Sequence, residues 1–262
     1  MAAPMPDALR LAVGTLTRIP VPAPRTVDPR TARRAMLLAP AVGLLLALVV
    51  GIPAQLLASA TPAGGLLSAA LAVAALAWLT RALHLDGLAD TADALGSGRP
   101  AAQALEIARR SDIGPFGVVT MLLVVLVQVL ALAALLDTGA GAGSLVIAIV
   151  TARMSITLAC MAGVPAARPE GLGAMVAGTV PVIGGGLLAV ALVVVAAAAV
   201  GSAHGPGAAA ATAAAVLGGL AVGALMVRTA VRRLGGVTGD VLGATTELAA
   251  TAVLVILVAL PG

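Results

Sequence analysis

Three aspartates, Asp86, Asp90 and Asp93, stand at i, i+4 and i+7 in the stretch His84-Leu-Asp-Gly-Leu-Ala-Asp-Thr-Ala-Asp-Ala-Leu95. On a helix this spacing gathers them within an arc of roughly 60°, spread over about 10 Å of axis. Like charges so arranged repel one another and weaken the helix that carries them. They also follow directly on an apolar stretch, where an unpaired charge at membrane depth costs roughly 2.5–3.5 kcal/mol. A divalent cation relieves both penalties. Mg²⁺ suits the ligand type, because it takes hard oxygens and bridges a few carboxylates to substrate phosphates. The bland alternative is a solvated acidic face, but the residues between the acids are Gly, Leu, Ala and Thr, without the Lys or Glu of a wet helix.

A second cluster near the other end of the chain reads Gly235-Gly-Val-Thr238-Gly239-Asp240-Val-Leu-Gly243-Ala-Thr-Thr-Glu247. Asp240 and Glu247 are again i, i+7 and share a helix face. The glycines before Asp240 permit a tight turn and close approach of a ligand. Free N–H groups at the start of that helix, around Thr238 and Gly239, can face phosphate oxygens. The expected metal set is therefore Asp86, Asp90, Asp93, Asp240 and Glu247, holding either two metals or one site shared with phosphate. A third element, Glu106-Ile-Ala-Arg109-Arg110-Ser-Asp112, offers guanidinium forks for phosphate, although these arginines equally serve as topology signals. Arg168 and Glu170 follow the same logic with less support. His84 sits next to the acidic run and is a candidate substrate contact; a lone His at a helix end is often only a hydrogen-bonding group. Arg153 lies inside an apolar run, which calls for a partner acid within the bundle. The single cysteine, Cys160, has no partner and reads as a buried thiol.

The elements that must position these groups follow from composition. The 262 residues are 61% hydrophobic and 10% charged, against about 25% charged in soluble domains. Apolar runs of eighteen or more residues recur, each able to cross a hydrocarbon layer about 30 Å thick. They are continuous and rich in Leu, Ala and Val instead of alternating, which selects helices over a barrel. About seven spans are expected, near residues 36–58, 66–83, 116–136, 144–163, 182–200, 207–227 and 241–260. The chain thus reads as an all-α polytopic transmembrane bundle, a single domain over 1–262, with an Arg-rich arm over 1–34 and an acidic helix and loop over 84–115. The arm lacks the short basic start and apolar core of a secretory signal. All fifteen basic residues are Arg, and the connections near 60–65, 137–143 and 201–206 contain none. Positive-inside asymmetry then places the N-terminus and the intervening connections in the cytoplasm, with the protein in the cytoplasmic membrane. Of eleven acids only Asp137 falls in an outer connection, a bias that topology rules do not require. Aromatic residues make up 1% of the chain, too few for nucleic-acid stacking platforms.

The acidic run 84–95, Leu105-Glu-Ile followed by Ile113-Gly-Pro-Phe-Gly117, and Gly235-Gly-Val-Thr-Gly-Asp-Val-Leu-Gly-Ala244 with Glu247 resemble the cobalamin synthase family. Leu16-Thr-Arg-Ile-Pro-Val-Pro22 and Glu170-Gly-Leu-Gly173 extend the resemblance over nearly the whole chain. One position departs from it: Arg110 stands where an acid is common in the family, and the nearest acid is Asp112. The resemblance implies a Mg²⁺-dependent adenosylcobinamide-GDP ribazoletransferase that joins adenosylcobinamide-GDP to α-ribazole or its 5′-phosphate and releases GMP, late in vitamin B12 assembly. Under that reading Asp86, Asp90 and Asp93 carry the catalysis, and His84, Arg18, Arg109, Arg110, Thr238 and Gly239 contact substrate. Membrane lipid, a homo-oligomer or other B12-assembly enzymes are the implied partners. Two other readings are a CDP-alcohol phosphotransferase, whose Asp-Gly-x-x-Ala-Arg motif is not matched here, and a carboxylate-based cation or proton transporter, whose site belongs near the midplane.

Overall fold

The computed structural model describes residues 5–61, 64–110 and 112–260. They form eleven helices: α1 (Asp7–Leu16), α2 (Pro29–Ala60), α3 (Gly64–Leu79), α4 (Leu83–Gly96), α5 (Ala101–Ile107), α6 (Pro115–Asp137), α7 (Gly141–Ala159), α8 (Gly171–Val176), α9 (Val182–His204), α10 (Pro206–Leu234) and α11 (Gly239–Ala259). Six of them, α2, α6, α7, α9, α10 and α11, are long and apolar enough to cross a membrane. A seventh is reached when α3 and α4, joined at a bend of 88°, are counted together as one broken span. The expected all-α polytopic bundle is therefore present, and α4 turns away from α3 to pack against α11 and α6.

Local chemistry sets the helix ends. Asp28 caps α2 by accepting from Thr31 N at 2.6 Å, and Pro29 follows in the first turn, where its missing N–H is harmless. Pro115 and Pro206 open α6 and α10 in the same way. Gly235 closes α10 with φ +86°, the left-handed conformation that glycine adopts without penalty. On the face opposite the acidic helix, Asp137 accepts from Gly65 N at 2.7 Å, and Gln55 donates to Leu136 O at 3.0 Å. These bonds tie the ends of α2, α3 and α6 together.

The most enclosed span is α7, packed among α2, α10 and α11. By contrast α9 buries only Gly185 among the described residues and presents its apolar sides outward, as a helix facing lipid does. Glycines give α10 a close-packing face. A Cβ on Gly219 would stand 2.5 Å from Val253 Cγ2 and 3.1 Å from Ala249 O, both on α11, and Gly223 lies against Ser155 of α7 and Thr245 of α11. Backbones approach here because no side chain separates them, the usual device of membrane helix pairs. Gly219→Val should force α10 away from α11 and cost about 1–3 kcal/mol by overpacking. A lowered heat-unfolding midpoint in detergent is the expected result; an unchanged midpoint would mean that the two helices do not pack there.

Candidate functional site

The acidic helix begins at a strained elbow. Arg81 and Ala82 both take positive φ, +57° and +53°, in the turn that swings α4 away from α3. Two consecutive side-chain-bearing residues in the left-handed region carry a strain of order 1–3 kcal/mol each, and such strain persists only where surrounding structure enforces it. The N-terminal arm supplies that enforcement. Arg18 N donates to Leu79 O at 2.7 Å, the Arg18 guanidinium lies 3.8 Å over the Trp78 ring, and Arg81 donates to Gly14 O at 3.0 Å.

From the elbow α4 runs across the starts of α11 and then α6. The crossing with α11 is backbone on backbone: a Cβ on Gly87 would stand 2.7 Å from Asp240 O, and one on Gly243 would stand 3.1 Å from His84 Cα. Nearly two turns further on, the buried carboxylate of Asp93 accepts from Gly114 N at 2.7 Å and from Gly117 N at 2.9 Å. It thereby satisfies two of the free N–H groups at the start of α6. Asp93 is committed to holding α4 on α6, while Asp86 is exposed and Asp90 half-buried beside α11.

The first turn of α11 brings the second cluster to the same place. Thr238 is its N-cap, accepting from Val241 N at 3.2 Å, and its hydroxyl donates to Asp240 Oδ2 at 3.2 Å. Preceding loops are laced together: Val237 N donates to Pro165 O at 2.9 Å and Ala167 N to Val237 O at 3.0 Å. That lacing places Arg168 beside Asp240 and Asp90, with its guanidinium donating to Leu105 O and its Nε buried without a partner. A cavity of about 260 Å³ opens there, lined in part by Arg168, Glu170, Thr238 and Asp240. Burial, followed by repulsion from Asp86, Asp240 and Asp93, pushes the Asp90 carboxyl up to about 7, and Arg168 acts in the opposite direction. Asp86, Asp90 and Asp240 thus crowd one another, and none of them has an ion-pair partner among the described residues.

Deeper in the bundle, Arg153 of α7 meets His84 Nε2. A guanidinium can only donate, so the imidazole Nε2 accepts and the ring is neutral. Glu247 of α11 lines the same small cavity, about 40 Å³, and accepts from Gln128 Nε2 at 2.9 Å. Gly43 on α2 leaves room for Arg153, whose Cγ would lie 2.6 Å from a Cβ there. The intramembrane arginine that sequence marks as needing a partner therefore has a histidine as its direct contact and a carboxylate nearby.

Comparison with known proteins identifies the family. The family described as cobalamin-5-phosphate synthase matches residues 8–258. The chain belongs to that family. Relatives named adenosylcobinamide-GDP ribazoletransferase are 45% identical in Nocardioides sp. (95% of this chain, 97% of the relative) and 44% identical in Frankia casuarinae (95% and 93%). A third, from Stutzerimonas stutzeri, is 40% identical over 94% of this chain and 96% of its own length. No solved structure matches.

For this cobalamin-5-phosphate synthase family member, the structure divides the expected site residues into groups. Asp86, Asp90, Asp240, Thr238 and Gly239 converge at the α4–α11 crossing. Asp93 is turned to α6, and Glu247 and His84 to the buried Arg153 cluster. Arg109 pairs with Glu170 at 2.6 Å on the rim, Arg110 and Asp112 are exposed, and Arg18 braces the elbow. Arg168 joins the converged group, although its sequence signal, a single Arg in a Pro- and Gly-rich connection, is slight. Among the described residues no three His, Cys, Asp or Glu groups stand close enough to hold a metal ion by themselves. The carboxylate oxygens of Asp86, Asp90 and Asp240 are the hard donor type that Mg²⁺ takes, and one or two of them would be enough for an ion whose other ligands came from solvent or substrate.

Asp93→Asn leaves one oxygen where two N–H groups need acceptors, and an orphaned buried donor costs about 1–3 kcal/mol. Hydrogen exchange should accelerate at Gly114 and Gly117, whereas Asp86→Asn should leave it unchanged. Equal effects of the two substitutions would contradict the division of labour along α4.

Proposed function

We propose that this chain joins adenosylcobinamide-GDP to α-ribazole or its 5′-phosphate, with release of GMP, in a Mg²⁺-dependent reaction on the cytoplasmic face of the membrane. The observation that carries the reading is the convergence of Asp86, Asp90 and Asp240 with Arg168 beside a cavity, in a chain similar over 95% of its length to proteins named for that transfer. The ribose 3′-hydroxyl of the ribazole attacks the phosphorus attached to the aminopropanol arm of cobinamide. The bond from that phosphorus to the oxygen of GMP breaks, GMP leaves with the electron pair, and the hydroxyl proton passes to a carboxylate or to water. Such transfers depend on positioning and charge stabilisation more than on covalent help from the protein.

Each part of the site has a role in this scheme. Asp86, Asp90 and Asp240 would hold Mg²⁺, which when bound neutralises diphosphate charge. Arg168, with a buried Nε lacking a partner, is suited to a phosphate oxygen as a fork-shaped donor. The start of α11 at Gly239 directs N–H groups and the positive end of the helix dipole toward the same anion. Asp93 and the Arg153–His84 contact keep α4 where these groups meet.

Purified protein in liposomes, given both substrates, should release GMP with Mg²⁺ and not with EDTA. Asp86→Asn should lower turnover on the order of a hundredfold or more, the usual loss when one electrostatic contributor to a transition state is removed. No GMP from folded wild-type protein, or near-normal turnover in Asp86→Asn, would overturn the proposal.

The crowded acids also generate a pH prediction. The Asp90 carboxyl is raised from 3.8 to about 7 in the folded state, so folding takes up a proton between those values. The stability contributed by the neutral form is complete below about pH 4 and is lost as pH rises through 7. Metal-free wild-type protein should therefore become less stable across that window, and Asp90→Asn should flatten the profile. Mg²⁺ should restore stability above pH 7 in wild type and much less in the variant. Identical pH profiles with and without Asp90 would contradict the electrostatic picture.

A further inference from the structure

A groove of about 590 Å³ lies between α7 and α10, and none of its lining residues belongs to α4 or α11. Its walls are apolar, with Leu158, Leu220 and Val227 prominent, and its floor is kept low by Ser155 and Gly223. At one end stand Arg228 and Arg232, one turn apart on α10 and both exposed. Among the described residues neither forms an ion pair. From Leu220 to Arg232 the helix rises about 18 Å, close to half of a hydrocarbon layer about 30 Å thick. The groove thus reaches from a membrane surface through about one leaflet, charged at the surface end and apolar below.

We propose that this groove binds one anionic phospholipid of the leaflet on the Arg-bearing side, its acyl chain lying along Leu158, Leu220 and Val227 and its phosphate held by Arg228 and Arg232. Charge complementarity decides the occupant. A zwitterionic lipid fills the apolar part but leaves two neighbouring cations unmatched, whereas an anionic headgroup answers both, as basic pockets between membrane helices do. Small residues at Ser155 and Gly223 let the chain lie close to both helices. The site is separate from the α4–α11 crossing and does not depend on the reaction proposed above.

The test uses the full chain in phosphatidylcholine nanodiscs titrated with phosphatidylglycerol, with the heat-unfolding midpoint as the readout, since a ligand of the folded state raises it. Phosphatidylglycerol should raise the wild-type midpoint. Arg228→Gln/Arg232→Gln should need about 25-fold more of the lipid for the same rise, about fivefold per arginine. Ala224→Trp, which fills the groove and keeps both arginines, should abolish the rise. Inorganic phosphate in phosphatidylcholine alone should have no effect. No rise in wild type, or an undiminished rise in the double arginine variant, would overturn the proposal. A rise with phosphate alone would replace the lipid by a free anion and overturn it equally. Native mass spectrometry of the arginine variant provides a second reading that does not rely on Ala224→Trp folding: it should retain less phosphatidylglycerol than wild type, and equal retention would count against the site.

Discussion

Where α4 crosses α11, two backbones lie in contact with no side chain between them. Gly87 faces the carbonyl and Cα of Asp240, and Gly243 faces the backbone of His84. Any larger residue at either position pushes the helices apart. Much of the architecture serves this contact: the strained Arg81–Ala82 elbow aims α4 across the bundle, the N-terminal arm holds the elbow, and Asp93 fastens the far end of α4 to the start of α6. Because the crossing is so close, acids far apart in the chain repel one another. That repulsion makes a cation, or a cation with a phosphate, a stabilising addition to the folded protein.

The buried Arg153 gives the crossing a second anchor from below. A guanidinium inside a membrane bundle is expensive unless it is partnered, and here a neutral imidazole meets it while Glu247 supplies the opposite charge nearby. Removing the imidazole would leave a buried guanidinium N–H without its acceptor, a loss of about 1–3 kcal/mol or more for a charged donor. The contact therefore fixes His84, and with it the start of α4, to the most enclosed span of the bundle. Positional accuracy at Asp86 thus comes from two layers, one in the connections and one in the core.

Much of the fold was legible in the sequence because the bilayer simplifies the problem: continuous apolar runs must be helices, and their length sets their number. Helical periodicity also placed Asp86, Asp90 and Asp93 on one face. What it could not supply was the neighbour that each would meet along 10 Å of axis. Asp86 and Asp90 reach α11, whereas Asp93 reaches α6, whose Gly114 and Gly117 N–H groups are free because a helix begins there. The same limit applies to Asp240 and Glu247, which share a face of α11 but lie at different depths, one at the membrane surface and the other among buried polar groups. Arg168 was harder still, because its position depends on an isolated backbone bridge between Ala166 and the distant Val237, which has no periodic signature. The family resemblance, carried by the acidic run and the Gly-rich start of α11, held across residues 8–258.

The central claim is that the acids of α4 and α11 act as one site. A double-mutant cycle on Asp86→Asn and Asp240→Asn, read as the rate of GMP release at saturating Mg²⁺, addresses it most directly. Residues that act as a unit show strongly non-additive effects. The account predicts that the double variant is no slower than the slower single variant. Losses that multiply, as for independent groups, would contradict it.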